Sequence, residues 1–225
     1  MRYGCLKLLS VLILGGASLF SLSQAILANG SRDRVSSEAE VIAASERAVV
    51  KLVQRGAVVK RFEVREIQTS GLLVRLKPEH LDAAGRIDST LLHELGQVID
   101  PAIEVRGLLL SDEGLKQLLE KVFPIGLDLS GSRVTDRGLE PLSESKRLRL
   151  LDLSFTGITD QGLIPVAKLP VLRHLSVLEC SITDQGIATI CKMDSLREIF
   201  LSKTRVTDAG LRRLQVSLPK CHVAR

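Results

Sequence analysis

Two hydrophobic rhythms alternate along residues 100–225. Leu148, Leu151 and Leu153 follow Leu-x-x-Leu-x-Leu, whose core has a period of two, and Leu163, Val166 and Leu169 then set a period of three. The first rhythm is that of a short strand with one buried face, and the second is a helical stripe. The next unit repeats both with Leu172, Leu175 and Val177, then Ile187, Ile190 and Met193, and the one after with Leu196, Ile199 and Leu201, then Leu211 and Leu214. Between the two rhythms one phrase returns: Ser111-Asp112-Glu113-Gly114-Leu115, Thr135-Asp136-Arg137-Gly138-Leu139, Thr159-Asp160-Gln161-Gly162-Leu163, Thr183-Asp184-Gln185-Gly186-Ile187 and Thr207-Asp208-Ala209-Gly210-Leu211. Every step is 24 residues. A fixed period of this length predicts a stack of strand–helix coils rather than one closed core.

The phrase has a local logic. Asp is a strong helix N-cap, so Asp112, Asp136, Asp160, Asp184 and Asp208 are expected to cap the helices that follow. The glycine two residues on fits either a close approach to the neighbouring coil or a backbone conformation closed to other residues. Pro141 and Pro165 share one column inside the expected helices, which should be short or 3₁₀-like there, because proline removes a donor. One further column holds Ser132, Thr156, Cys180 and Thr204, with Leu108 in the first clear unit.

The spacing Leu-x-x-Leu-x-Leu, this further column and the Thr-Asp-x-Gly-Leu phrase resemble the leucine-rich-repeat family, in the subtype called cysteine-containing that is common in bacterial exported proteins. The resemblance covers roughly residues 100–225. It implies an α/β solenoid with short parallel strands on the concave face and short helices on the convex one.

Ahead of the repeats, Ser37 and Glu40 make a capping-box pattern. Val41, Ala44, Ala48, Val49, Leu52 and Val53 then line a helical face that Gly56 ends. Val58–Val64 is expected as a strand, Thr69-Ser70-Gly71 as a turn, and Leu72–Leu76 as a second strand. A helix and hairpin here would shield the end of the stack, which otherwise exposes its core; the other reading is a small separate domain, marginal at this size. Between Lys77 and Gln97 the register loosens. Asp88 stands 24 before Asp112, yet Val74 and Leu76 lie 29 before Ile103 and Val105, so one degenerate repeat, longer by five, is expected, with a helix over 88–97. At the other end Val223 is 24 after Ile199, a strand position in a terminal half-repeat.

Residues 1–28 change the picture of where the chain works. Arg2 and Lys7 precede an uncharged run beginning at Leu8, and Ser23-Gln24-Ala25 offers small residues for cleavage. The uncharged run to Asn29 is also long enough to span a bilayer, so a cleaved signal peptide and a retained signal anchor both stand. The expected organisation is therefore 1–28 signal peptide or anchor, 29–36 linker, 37–76 helix-plus-hairpin cap and 77–225 solenoid. The chain would be exported, periplasmic or secreted, or tethered to the membrane through residues 1–28.

The net charge is +5, and leaving out residues 1–28, which hold two bases and no acid, leaves 29 basic and 26 acidic residues. These are interspersed, which disfavours nucleic acid as a partner. Aromatics are 3% and Trp is absent. Past the leader stand Cys180, Cys191 and Cys221, an odd number, of which Cys191 and Cys221 could bridge adjacent coils if geometry brings them together. No Cys/His spacing points to a metal, and no Gly-rich loop or nucleophile elbow points to a cofactor or an enzyme. His174, Asp152 and Ser176 fall on one strand face but lack the surroundings of a hydrolytic triad.

The sequence thus points to a non-catalytic protein-binding module, with a structural or self-assembling envelope element as the alternative. Alternation along the strands places Glu104, Asp128, Asp152, Ser176 and Phe200 in one concave column and Ala102, Gly126, Leu150, His174 and Glu198 in the next. Phe155 and Glu179 lie just past the strands. Five strands span about 19 Å, suited to a peptide segment or one edge of a small domain. The residues expected to meet a protein partner are Glu104, Asp128, Asp152, Phe155, His174, Glu179, Glu198 and Phe200.

Overall fold

The computed structural model describes residues 32–64 and 69–225; the leader and the first part of the expected linker lie outside them. Helix α1 (Arg32–Gln54) is followed by β1 (Val58–Val64) and β2 (Thr69–Arg75), then α2 (Ser89–Gly96) and β3 (Pro101–Glu104). The coils continue as α3 (Asp112–Lys121), β4 (Gly126–Asp128), a 3₁₀ segment (Asp136–Glu144), β5 (Leu150–Asp152), α4 (Leu163–Val166), β6 (His174–Ser176), α5 (Asp184–Ile190), β7 (Glu198–Phe200), α6 (Asp208–Ser217) and β8 (His222–Ala224). All eight strands form one sheet in chain order. β1 and β2 are antiparallel and every later pair is parallel.

The register follows the sequence period. Leu127, Leu151, Leu175, Ile199 and Val223 are partners in turn, whereas Val74 pairs with Ile103 across the longer step. The excess length is taken up by a 3₁₀ turn (Pro78–His80) and by a tight loop in which Asp82 accepts hydrogen bonds from Ala84 N and Arg86 N. His80 is buried there as a structural residue, because Lys77 N donates to Nδ1 (3.0 Å) and Nε2 lies 2.9 Å from the Arg55 carbonyl. One continuous apolar core runs from Ala48 to Leu218, filled mainly by Leu, Ile and Val. Each coil contributes its strand pair, such as Leu151 and Leu153, and its helical stripe, such as Leu163, Val166 and Leu169, all buried. The prolines act as expected: Pro141 sits in the 3₁₀ segment and Pro165 in a helix of four residues.

Several expectations are corrected. The first helix starts at Arg32, so residues 32–36 are helical rather than linker. Its buried face is Ser45, Ala48 and Leu52, while Val41 and Val53 are exposed. Residues 69–71 are strand, not turn. Gly71 pairs with Phe62, and any side chain there would strike the Asp100 carbonyl and Ile125, so the glycine marks a close approach. Cys180, Cys191 and Cys221 are all free thiols, which leaves the Cys191–Cys221 bridge unformed.

The largest correction concerns the periodic aspartates. The N-caps of α3, α5 and α6 are Ser111, Thr183 and Thr207, one residue earlier, and these hydroxyls accept from Gly114 N, Gln185 N and Gly210 N. Each aspartate instead reaches forward to the next coil. Asp160 Oδ1 accepts from Thr183 N (2.8 Å) and Oδ2 from the Thr183 hydroxyl (2.6 Å). Asp112 holds Thr135, Asp136 holds Thr159 and Asp184 holds Thr207 in the same way. Asp208 receives Arg225. Asp88, ahead of the series, is a true N-cap, accepting from Leu91 N (2.9 Å), and at that coil the Gly85 carbonyl accepts from Ser111 N and Oγ in place of a carboxylate. The phrase glycines make room for this clamp: a Cβ on Gly138, Gly162, Gly186 or Gly210 would collide with the aspartate of the preceding coil.

Candidate functional site

The strand pairings assemble the concave columns in the predicted order. Glu104, Asp128 and Asp152 are successive partners on β3, β4 and β5, followed by Ser176 and Phe200. Three carboxylates therefore stand side by side, about 4.8 Å apart from strand to strand. Arg75 Nε, from the hairpin, lies 2.7 Å from Glu104 Oε1, but Glu104 Oε2 is buried without a hydrogen-bond partner. Asp128 Oδ1 accepts from Ser130 N (2.9 Å) and from the Ser130 hydroxyl (2.5 Å), and Asp152 Oδ1 accepts from Ser154 N (2.8 Å). Burial pushes the Asp128 carboxyl above its ordinary range, the Ser130 hydroxyl opposes this, and the neighbouring Asp152 and Glu104 charges add to it.

Towards the C-terminal coils the face changes character. His174 Nδ1 lies 2.9 Å from Glu198 Oε2, and its ring is tilted against Phe200 with centroids 5.2 Å apart. The hydrogen bond to His174 holds the Glu198 carboxyl below its usual range against the opposing effect of burial. Ser176 Oγ lies 2.7 Å from Ser154 Oγ. His174 thus engages Glu198, while Asp152 and Ser176 both meet Ser154, so the hydrogen bonds of these three run to other residues rather than along a Ser–His–Asp relay. Among the described residues, no group of three or more His, Cys, Asp or Glu is placed to hold a metal ion.

Of the eight residues expected at the surface, Phe155 and Glu179 are exposed and Asp128, Asp152, Glu198 and Phe200 are half-buried. Glu104 and His174 are buried, at 5% and 6% exposure, and present little to a partner. The concave face is also narrower near the hairpin than alternation alone implies. Phe62 and Leu73 form a second small core with Ala102 and Ile125, with Leu150 packed against it. A depression of about 420 Å³, lined in part by His80, Asp82, Arg86 and Gln117, lies at the degenerate repeat rather than on the carboxylate row.

Sequence reasoning missed one feature of the rim. Phe155, Glu179 and Lys203 all have positive φ, at 59°, 58° and 58°. Gly107 and Gly131, at 69° and 68°, hold the same column in the two preceding coils. The signal was present as a glycine that recurs after 24 residues and then lapses at Phe155.

A family model described as Leucine Rich repeat matches residues 127–143 and 145–167. The fold is a leucine-rich-repeat solenoid. Its matched coils carry β4, β5 and the 3₁₀ segment between them, along with Asp128, Asp152 and Phe155. No curated protein matches the chain. Among solved structures, internalin C2 from Listeria monocytogenes is similar, with a TM-score of 0.45 and 19% identity, over 67% of this chain and 69% of that one.

Proposed function

We propose that this solenoid is a non-catalytic protein-binding module, exported through its N-terminal segment, and that it takes a basic segment of a protein partner on the concave strand face. The observation that carries this reading is the row Glu104, Asp128 and Asp152, three adjacent carboxylates of which Glu104 meets Arg75 from the hairpin. Like charges held side by side and partly desolvated cost the fold free energy, and clusters of this kind are concentrated at functional sites. Phe155 and Phe200 supply apolar surface next to the row, where interfaces tend to concentrate their energy.

Crosslinking in intact cells followed by recovery of the full chain tests this. The triple variant Asp128→Asn, Asp152→Asn, Phe200→Ala, with folding checked by circular dichroism, is expected to lose the partner that the wild type retains. Raised salt is expected to weaken recovery by the wild type. If the folded variant recovers the same partner at the same level, the concave-face reading is wrong.

A further inference from the structure

The column at 107, 131, 155, 179 and 203 turns the chain sharply at the end of each strand. Its backbone amides make equivalent bonds whichever residue is present: Gly107 N donates to Ser130 O (2.7 Å), Gly131 N to Ser154 O (2.9 Å), Phe155 N to Leu178 O (2.8 Å) and Glu179 N to Ser202 O (3.1 Å). The turn therefore needs only the left-handed backbone, which glycine adopts without steric cost and other L-residues do not. Phe, Glu and Lys occupy it in three successive coils.

Their side chains lie largely at the surface. Phe155 is 51% exposed. Glu179 and Lys203 pair across coils at 2.5 Å, on the surface, where such pairs are weak. Strain of this kind gathers at ligand-binding positions. It adjoins the carboxylate row, since Phe155 follows Asp152 by three residues, at most about 10 Å of chain. Two unrelated costs, a like-charge row and a left-handed aromatic, thus fall at one end of the same strands.

We propose that Phe155, between Gly131 and Glu179 in its column, is the specificity-determining rim of the concave site and seats an arginine or lysine of an extended partner segment, with the stem across the Phe155 ring and the cationic head towards Asp152 and Asp128. Long basic side chains suit this arrangement, because the stem packs on apolar surface while the head stays on polar groups, and the aromatic face itself attracts the cation. Glu179 and Lys203, one and two coils on, are paired with each other, so the stretch that favours a cation ends at Phe155 and Asp152. The row therefore selects register as well as charge. This inference rests on the concave-face reading above.

Fluorescence anisotropy with the full chain in mild detergent tests it, using a labelled 12-residue peptide of alternating arginine and leucine and the corresponding glutamate–leucine peptide. Wild type is expected to bind the arginine peptide at least tenfold more tightly than the glutamate peptide. Phe155→Gly is expected to weaken that binding at least fivefold while raising the thermal midpoint, and Phe155→Tyr to retain it. Wild-type binding without charge preference would overturn the cationic occupant. Unchanged binding by Phe155→Gly, or a lowered midpoint, would overturn the rim assignment. If Asp128→Asn, Asp152→Asn abolishes binding while Phe155→Gly retains it, the concave reading stands and the rim fails; if neither variant matters, both fail. A change in the chain's own oligomeric mass on Phe155→Gly, measured by sedimentation, would make the occupant a second copy and contradict the proposal.

Discussion

At the scale of single residues, the repeat phrase works between coils. Thr183 donates its amide and hydroxyl to Asp160 of the coil before, and its oxygen accepts from Gln185 N of its own helix. Hydrogen bonds to a charged acceptor contribute about 1.5–3 kcal/mol when well enclosed, and less when partly exposed. Asp160→Ala is therefore predicted to cost roughly 1–2 kcal/mol; the hydroxyl's share of that cost should disappear in a Thr183→Ala background, while the share of the residue-183 amide, which the substitution keeps, should remain. Denaturant melts of the double-mutant cycle measure this; additive effects would mean the two side chains act separately. The glycine is explained by the same clamp. Gly138→Ala brings its new methyl closest to Asp112, so it should destabilise the wild type and be better tolerated beside Asp112→Ala. The sequence could not distinguish cap from clamp, because both call for a carboxylate at a helix start and differ only in which coil supplies the partner.

Protonation separates two carboxylates on the concave face. Burial raises the Asp128 pKa above its ordinary 3.8, so its stability contribution is greatest below that value and falls as pH rises through the folded pKa. Asp128→Asn should then be more stable than wild type near neutral pH, with the gain shrinking towards pH 3. Glu198 has the opposite sign. Its pKa is held below 4.5, so the stability it brings is present above that value and is lost as pH falls through the folded pKa. Glu198→Gln should lower the midpoint at neutral pH and have little effect in strong acid. Thermal melts of both variants across pH 3–7 check the signs; parallel curves would contradict both assignments.

At the scale of elements, the strands were legible in the sequence because their side-chain period is two and their spacing 24. The pairings Gly126–Leu150, Leu150–His174 and His174–Glu198 follow directly. The short helices were legible from Pro141 and Pro165. The hairpin was less so, because both of its faces are apolar: Val59 and Val74 join the main core, while Phe62 and Leu73 build the second cluster on the concave side. Alternation shows that two faces exist but not that the second is covered. For the same reason Glu104 and His174 read as surface residues, although Arg75 and Glu198 are placed to pair with them and both are buried. Gly71 read as a turn because a glycine that admits a neighbouring carbonyl looks the same in sequence as one that reverses the chain. Replacing Gly71 with Ala is predicted to destabilise the hairpin against β3, seen as early amide exchange confined to β1 and β2.

At the scale of the molecule, the stack places its structural bonds and its costly features on different surfaces. The aspartate–threonine clamps lie at the helix starts, whereas the carboxylate row and the left-handed Phe155, Glu179 and Lys203 lie on the concave face and its rim. Each left-handed L-residue costs roughly 1–2 kcal/mol, a sizeable share of the stability of an ordinary domain. Export is tested separately: intact mass of the chain from its own host is expected to show loss of the first 25–28 residues, and retention of that segment with protein in the membrane pellet would favour the anchor. Among the described residues no helix is long and apolar enough to cross a membrane.

The concave assignment is tested most directly by site-specific photocrosslinking in intact cells, with a benzophenone side chain replacing Phe155 or Phe200 in turn, and Phe123 or Val216 as exposed positions away from the row. A shared adduct of one mass at Phe155 and Phe200, absent at Phe123 and Val216, is predicted. An adduct at Phe123 or Val216 with none at Phe155 and Phe200 would contradict it.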